Sequence, residues 1–129
     1  MNKEIDARAG RSPSQVTVSV GENAVSMDQK EIIRVYTENR RVVISSISGR
    51  YVTRMTLQEL ELLLCEESFV RISRFEIVNL KKVSSFDLSM TGTIRITFED
   101  GSDTWVARRF VRAIRDKLSE INKGGDRHE

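Results

Sequence analysis

Two segments constrain this chain more than any others: FVRISRFEIVN at residues 69–79 and WVARRFVRAIR at residues 105–115. In each, apolar residues recur at structural spacing and the arginines between them are pushed outward. Arginine is costly to bury unpaired, and its planar fork of donors fits phosphate oxygens and guanine edges. Two such segments in a small domain point to a surface that grips nucleic acid.

The chain has 129 residues, of which 39% are apolar, enough for one domain with its own core. No apolar run approaches the ~20 residues of a membrane span, and none looks like a secretory leader. The expectation is a soluble, cytoplasmic protein without membrane insertion. Cys65 is the single cysteine, so no internal disulfide can form. Glu66 and Glu67 follow it and oppose thiolate formation, which makes a small buried hydrophobe the expected role. Net charge is only +2, from 21 basic and 19 acidic residues, so the overall balance identifies no partner. The bases are grouped, however: Arg40 with Arg41, Arg71 with Arg74, Lys81 with Lys82, and a basic stretch over residues 108–117. Any one cluster reads as solvated surface; four that a fold could bring to one side are harder to dismiss.

Residues 1–28 are rich in Asn, Ser and Gly, carry the only proline, and show no helical period. They are expected to be a flexible N-terminal arm, with one short edge strand at QVTVSV. Residues 29–121 form the folded domain, and residues 122–129 a disordered tail. Alternating β-branched runs over residues 33–52 predict a three-stranded meander with a turn at Glu38 and Asn39. TLQE at residues 56–59 is a capping box, and Leu57, Leu60, Leu63 and Leu64 then define the buried face of a short helix. Strands are predicted at 69–72, 77–78, 83–88 and 93–98. Asp100 and Gly101 make the strongest hairpin signal. Phe110, Val111, Ile114 and Leu118 recur at helical spacing, and the glycines at 124 and 125 are expected to end that helix.

Several chemistries have no residues to carry them. His128, the single histidine, lies at the extreme C-terminus, so a histidine base or a Cys/His metal cluster is not expected. Phosphate-binding glycine motifs and nucleophile elbows are missing. Glu99, Asp100 and Asp103 flank a turn, where acids are ordinary. The expectation is a non-enzyme with no cofactor, no metal and no small-molecule substrate.

FVRISRFEIVNLKKV, followed by TGTIRITFEDGSDTWVARRFVRAIRDKL, resembles the LytTR DNA-binding domain of bacterial transcription regulators. Phe69, Arg71, Arg74, Ile77, Val78, Asn79 and Leu80 match the family's first block. Gly101, Val106, Arg108, Arg109, Phe110 and Val111 match the second. The likeness extends over about residues 29–118. Two positions depart from it: Phe75 and Ala107 stand where the family carries serine. The resemblance implies a mostly β fold, an elongated succession of small antiparallel sheets with two short helices. It also implies that loops, not a recognition helix, read double-stranded DNA at direct-repeat promoter sites, with two protomers, a homodimer, on each site.

Carried onto this sequence, the resemblance favours base contacts for Arg74, for Arg109 at the strand-to-helix junction, and for Arg40 or Arg41 at the first hairpin turn. Arg108, Arg71, Lys81, Lys82 and Asn79 are candidates for phosphate, Asn79 competing with a turn-stabilising role. Arg112 and Arg115 are expected on the outer surface of the last helix. Two alternatives remain: an interaction module of the same fold that has lost DNA binding, and RNA binding by stacked aromatics, for which 6% aromatic content leaves few platforms.

Overall fold

The structure is a computed structural model that describes residues 15–88 and 92–126, with side chains as far as residue 120. Its elements are β1 (Gln15–Val20), β2 (Asn23–Asp28), a 3-10 turn (Gln29–Glu31), β3 (Ile32–Glu38), β4 (Arg41–Ser46), β5 (Gly49–Thr53) and α1 (Leu57–Leu63). There follow β6 (Phe69–Ser73), β7 (Glu76–Asn79), a second 3-10 turn (Leu80–Lys82), β8 (Val83–Leu88), β9 (Ile94–Phe98), β10 (Asp103–Trp105) and α2 (Arg108–Asp126). The strands make a hairpin β1-β2, a five-stranded sheet in the order β5-β4-β3-β7-β6, and a three-stranded sheet β10-β9-β8. All their pairings are antiparallel. The mostly β architecture of small sheets with two helices is the one the sequence predicts, although α2 is 19 residues long.

The central sheet is packed on both faces. One face packs Val35, Ile44, Phe69 and Ile77 against α1 and the β1-β2 hairpin. The other packs Ile72 and Val78 against Ile94, Ile96 and Phe98 of the small sheet and Ile114 of α2. The alternation along each strand therefore feeds two cores.

Four expectations are corrected. Residues 15–28 are not an arm: they form the hairpin, and the alternation of QVTVSV buries Val16 and Val18 beside Met27. Residues 1–14 lie outside the described part. Helix α2 continues through the glycines to Asp126, because glycine lowers helix propensity without forbidding the conformation; residues 127–129 lie outside the description. In α1 the capping box is formed, with Glu59 N–H to Thr56 Oγ1 at 3.0 Å and Thr56 N–H to Glu59 Oε1 at 2.9 Å. Its buried face is Leu57, Leu60 and Leu64, whereas Leu63 is exposed. At about 100° per residue the first three cluster on one side and Leu63 falls off it. Cys65, just past the helix, is exposed, and its N–H donates to Gln29 Oε1 at 2.8 Å. That bond turns the chain at the surface, where the thiol then lies.

Candidate nucleic-acid interface

The strand order explains why scattered arginines meet. In an antiparallel sheet the C-terminal ends of β3, β5 and β6 and the N-terminal ends of β4 and β7 lie at one edge. Arg40 and Arg41 follow β3, Arg54 follows β5, and Arg74 follows β6. The register makes this specific. Val42 pairs with Thr53, which seats Arg54 beside Arg41. Tyr36 pairs with Glu76, and Thr37 N–H donates to Phe75 O at 2.9 Å, which ties the β6-β7 turn to the end of β3.

Each turn has its own geometry. Glu38 pairs with Arg41, so Asn39 and Arg40 are the two residues of a tight hairpin, with φ of 52° and 66°. Positive φ at both positions is the type I′ turn that suits the twist of the strands, and a non-glycine residue holds it with strain. The turn tip is one residue later than predicted, which leaves Arg40 on the tip and Arg41 at the start of β4. Between Ser73 and Glu76 the turn is Arg74 and Phe75. Phe75 N–H donates to Ser73 Oγ at 3.0 Å, and Arg71 Nη1 donates to Arg74 O at 2.9 Å. A second donor of Arg71 reaches Glu61 Oε1 at 3.1 Å. Arg71 thus props the turn, and its guanidinium is largely occupied.

Together these residues line a groove of about 1000 Å³. Arg40, Arg41, Arg54, Arg71 and Arg74 line it with Val42, Val52, Met55 and Phe75, and no acid is among its described lining residues. Of the nearby acids, Glu61 bonds Arg71 of the groove itself, whereas Glu38 is held by Arg50 at 3.3 Å and Glu76 by Arg34 at 2.8 Å. By contrast, Arg40, Arg41, Arg54, Arg74, Arg108 and Arg109 make no ion pair with a described residue. Guanidinium groups that have no acidic partner among the described residues, set around a concave surface, attract phosphate.

Helix α2 starts at Arg108, at the strand-to-helix junction the sequence predicts. Ala107 N–H donates to Ile72 O at 2.8 Å, so the start of α2 is fastened to edge strand β6 two residues before Arg74. Arg108 and Arg109 are exposed there, with the Arg109 guanidinium 5.1 Å from the Phe110 ring centre. Arg112 and Arg115 are exposed further along the helix, as expected.

Not every predicted residue joins the groove. Asn79 is 1% exposed; its Nδ2 donates to Ile32 O at 2.8 Å and its Oδ1 accepts from Lys81 N–H at 3.0 Å. Both ends of the amide are used inside the fold, so Asn79 is a structural residue and is withdrawn as a phosphate ligand. Lys82 lies 4.0 Å from Glu99, beside the small sheet. Lys81 is exposed near Cys65, away from the arginine groove. Arg54 was not anticipated. Its only sequence signal is a lone arginine after a strand, and register alone brings it to the groove.

Among the described residues no group of three or more His, Cys, Asp or Glu could hold a metal ion, and no helix is long and apolar enough to cross a membrane.

Comparison with known proteins identifies the family and the fold. The sequence profile of the LytTr DNA-binding domain matches residues 22–119. The sensory transduction protein LytT of Bacillus subtilis is 28% identical over 115 residues, covering 89% of this chain and 47% of that protein. An uncharacterized HTH-type transcriptional regulator of Staphylococcus aureus is 32% identical over 89 residues, 69% of this chain and 60% of its own length. The chain thus spans about half of the one relative and three fifths of the other. A solved LytTr DNA-binding domain from Bacillus cereus superposes with a TM-score of 0.73 at 20% identity, over 81% of this chain and 96% of that one. The profile covers the strands that carry the arginine turns, and the chain belongs to the LytTR DNA-binding domain family.

Proposed function

We propose that this chain is a DNA-binding transcription regulator that grips duplex DNA with the arginine-bearing end of its five-stranded sheet. The observation that carries the reading is the groove with no acid among its described lining residues, four of whose five arginines make no ion pair with a described residue. Arg74 and Arg40, each on a two-residue turn, and Arg109, at the start of α2, are the base-reading side chains. Arg41, Arg54 and Arg108 hold phosphates on either side. Neighbouring strands stand ~4.8 Å apart, so five strands span roughly 19 Å. That exceeds the ~12 Å width of one major groove, so the row can touch both rims while its turns enter. Protomers act in pairs on direct repeats, and the protein works in the cytoplasm; family likeness is the support for both statements.

A second reading keeps the fold but gives it a protein partner. The exposed Leu62 and Trp105 favour it. Selection of bound duplexes from a random pool, followed by salt titration, separates the two. A DNA reader yields a recurrent site whose affinity falls steeply with salt and is not competed by single-stranded RNA. Recovery of no enriched site would reject the proposal in favour of the second reading.

A further inference from the structure

Phe75 presents a large, exposed apolar ring in the arginine-lined groove. It occupies the second position of the β6-β7 turn, beside five arginines, and is 56% exposed. Its backbone is held on both sides: the N–H donates to Ser73 Oγ at 3.0 Å, and the carbonyl accepts from Thr37 N–H at 2.9 Å. The ring therefore projects from a fixed platform. The Arg74 guanidinium lies 5.7 Å from its centre.

We propose that Phe75 is a specificity residue that contacts the C5-methyl group of a thymine in the major groove, next to the base pair read by Arg74. This rests on the DNA-binding reading above. An arginine fork matches guanine O6 and N7, and phenylalanine is an apolar match for the thymine methyl; both groups are displayed on the major-groove side. Successive base pairs are ~3.4 Å apart along the helix, so two groups 5.7 Å apart reach adjacent pairs without rearranging the turn. The ring also shields the Arg74 guanidinium on one face, which favours a guanidinium aligned with its target over one that sweeps through water.

The test replaces each thymine of the selected site by deoxyuridine, one position at a time, and measures affinity for the wild-type chain and for Phe75→Ser. The exchange removes one methyl group and leaves every hydrogen-bonding group in place. Wild type should lose about fourfold in affinity at one position adjacent to the Arg74-dependent guanine, the effect of burying a single methyl. Phe75→Ser should bind thymine and uracil there alike, and Phe75→Leu should keep part of the difference. Arg74→Ala should lose the guanine preference and retain the response to uracil. A wild-type protein indifferent to uracil at all positions overturns the thymine contact while leaving DNA binding intact. So does a Phe75→Ser variant as sensitive as wild type. Absence of any selected site overturns the parent reading, and this one with it.

Discussion

Arg71 Nη1 donates to the main-chain carbonyl of Arg74 at 2.9 Å, so the first arginine of FVRISR holds the turn that presents the second. Three residues apart in sequence, they look equivalent as surface cations. The fold makes the first a prop for the turn and leaves the second on it, where the proposed function has it read a base.

That division makes the first prediction. Arg71→Ala should weaken binding to the selected site by about tenfold, comparable to losing one charged hydrogen bond. It should also relax base preference at the position that Arg74→Ala relaxes, and the double variant should cost little more than either single one. Arg71→Lys should not restore the preference, because an ammonium cannot serve the Arg74 carbonyl and Glu61 with a planar fork. A purely structural Arg71 would lower stability and leave the base preference of the selected pool unchanged.

Arg54 and Arg74 should fail differently. Arg74→Ala should cost ~1–3 kcal/mol at one base position. Arg54→Ala should weaken binding to all duplexes alike and reduce the salt slope by about one. Parallel titrations on selected and scrambled duplexes would show it.

At Arg40, binding and stability should move in opposite directions. Its φ of 66° is a left-handed conformation that glycine adopts freely, and Asn39 followed by glycine is the preferred type I′ turn. Arg40→Gly should stabilise the hairpin by about 1 kcal/mol, raising Tm by roughly 4 °C, while weakening DNA binding. Thermal melts and affinity measurements on the same preparation suffice. A variant that melts lower than wild type would contradict the strain argument.

A polar bridge accompanies the apolar packing between the two larger sheets. Glu76 accepts from Arg34 Nη1 at 2.8 Å and from Thr104 Oγ1 at 2.8 Å, with Arg34 stacked 4.6 Å from the centre of Tyr36. Removing one partner leaves a poorly hydrated charge, so Glu76→Ala should cost about 3 kcal/mol in urea unfolding. Replacing both ions, Arg34→Met with Glu76→Leu, should recover most of it. Equal loss in the single and double variants would show that packing volume, not charge, holds the joint.

Acid should loosen the β9-β10 hairpin. The Ser102 hydroxyl, at 2.6 Å, and the Ser102 N–H, at 2.9 Å, bond Asp100 Oδ1 and hold its carboxyl below the ordinary value of 3.8. The folded state then binds fewer protons than the unfolded chain. This contribution is complete above 3.8 and disappears as pH falls through the lower folded value. Asp100→Asn should lack that acid-limb component, and denaturation followed from pH 7 downwards would reveal the missing slope.

The sequence by itself determined what nearest neighbours determine. Period-two alternation set the strands of the central sheet, TLQE set the start of α1, and the spacing of Phe110, Ile114 and Leu118 set the inner face of α2. The two arginine-bearing turns were legible for the same reason, since turn residues and strand ends are local. The tertiary structure alone decided which cations are free. Arg71 and Lys82 found acids, Asn79 spent both ends of its amide inside the fold, and Arg54 reached the groove only because Thr53 pairs with Val42. Such pairings join residues as far apart as Ile32 and Asn79, 47 positions along the chain. Their partners are set by strand order and register, which depend on how all the apolar faces pack at once.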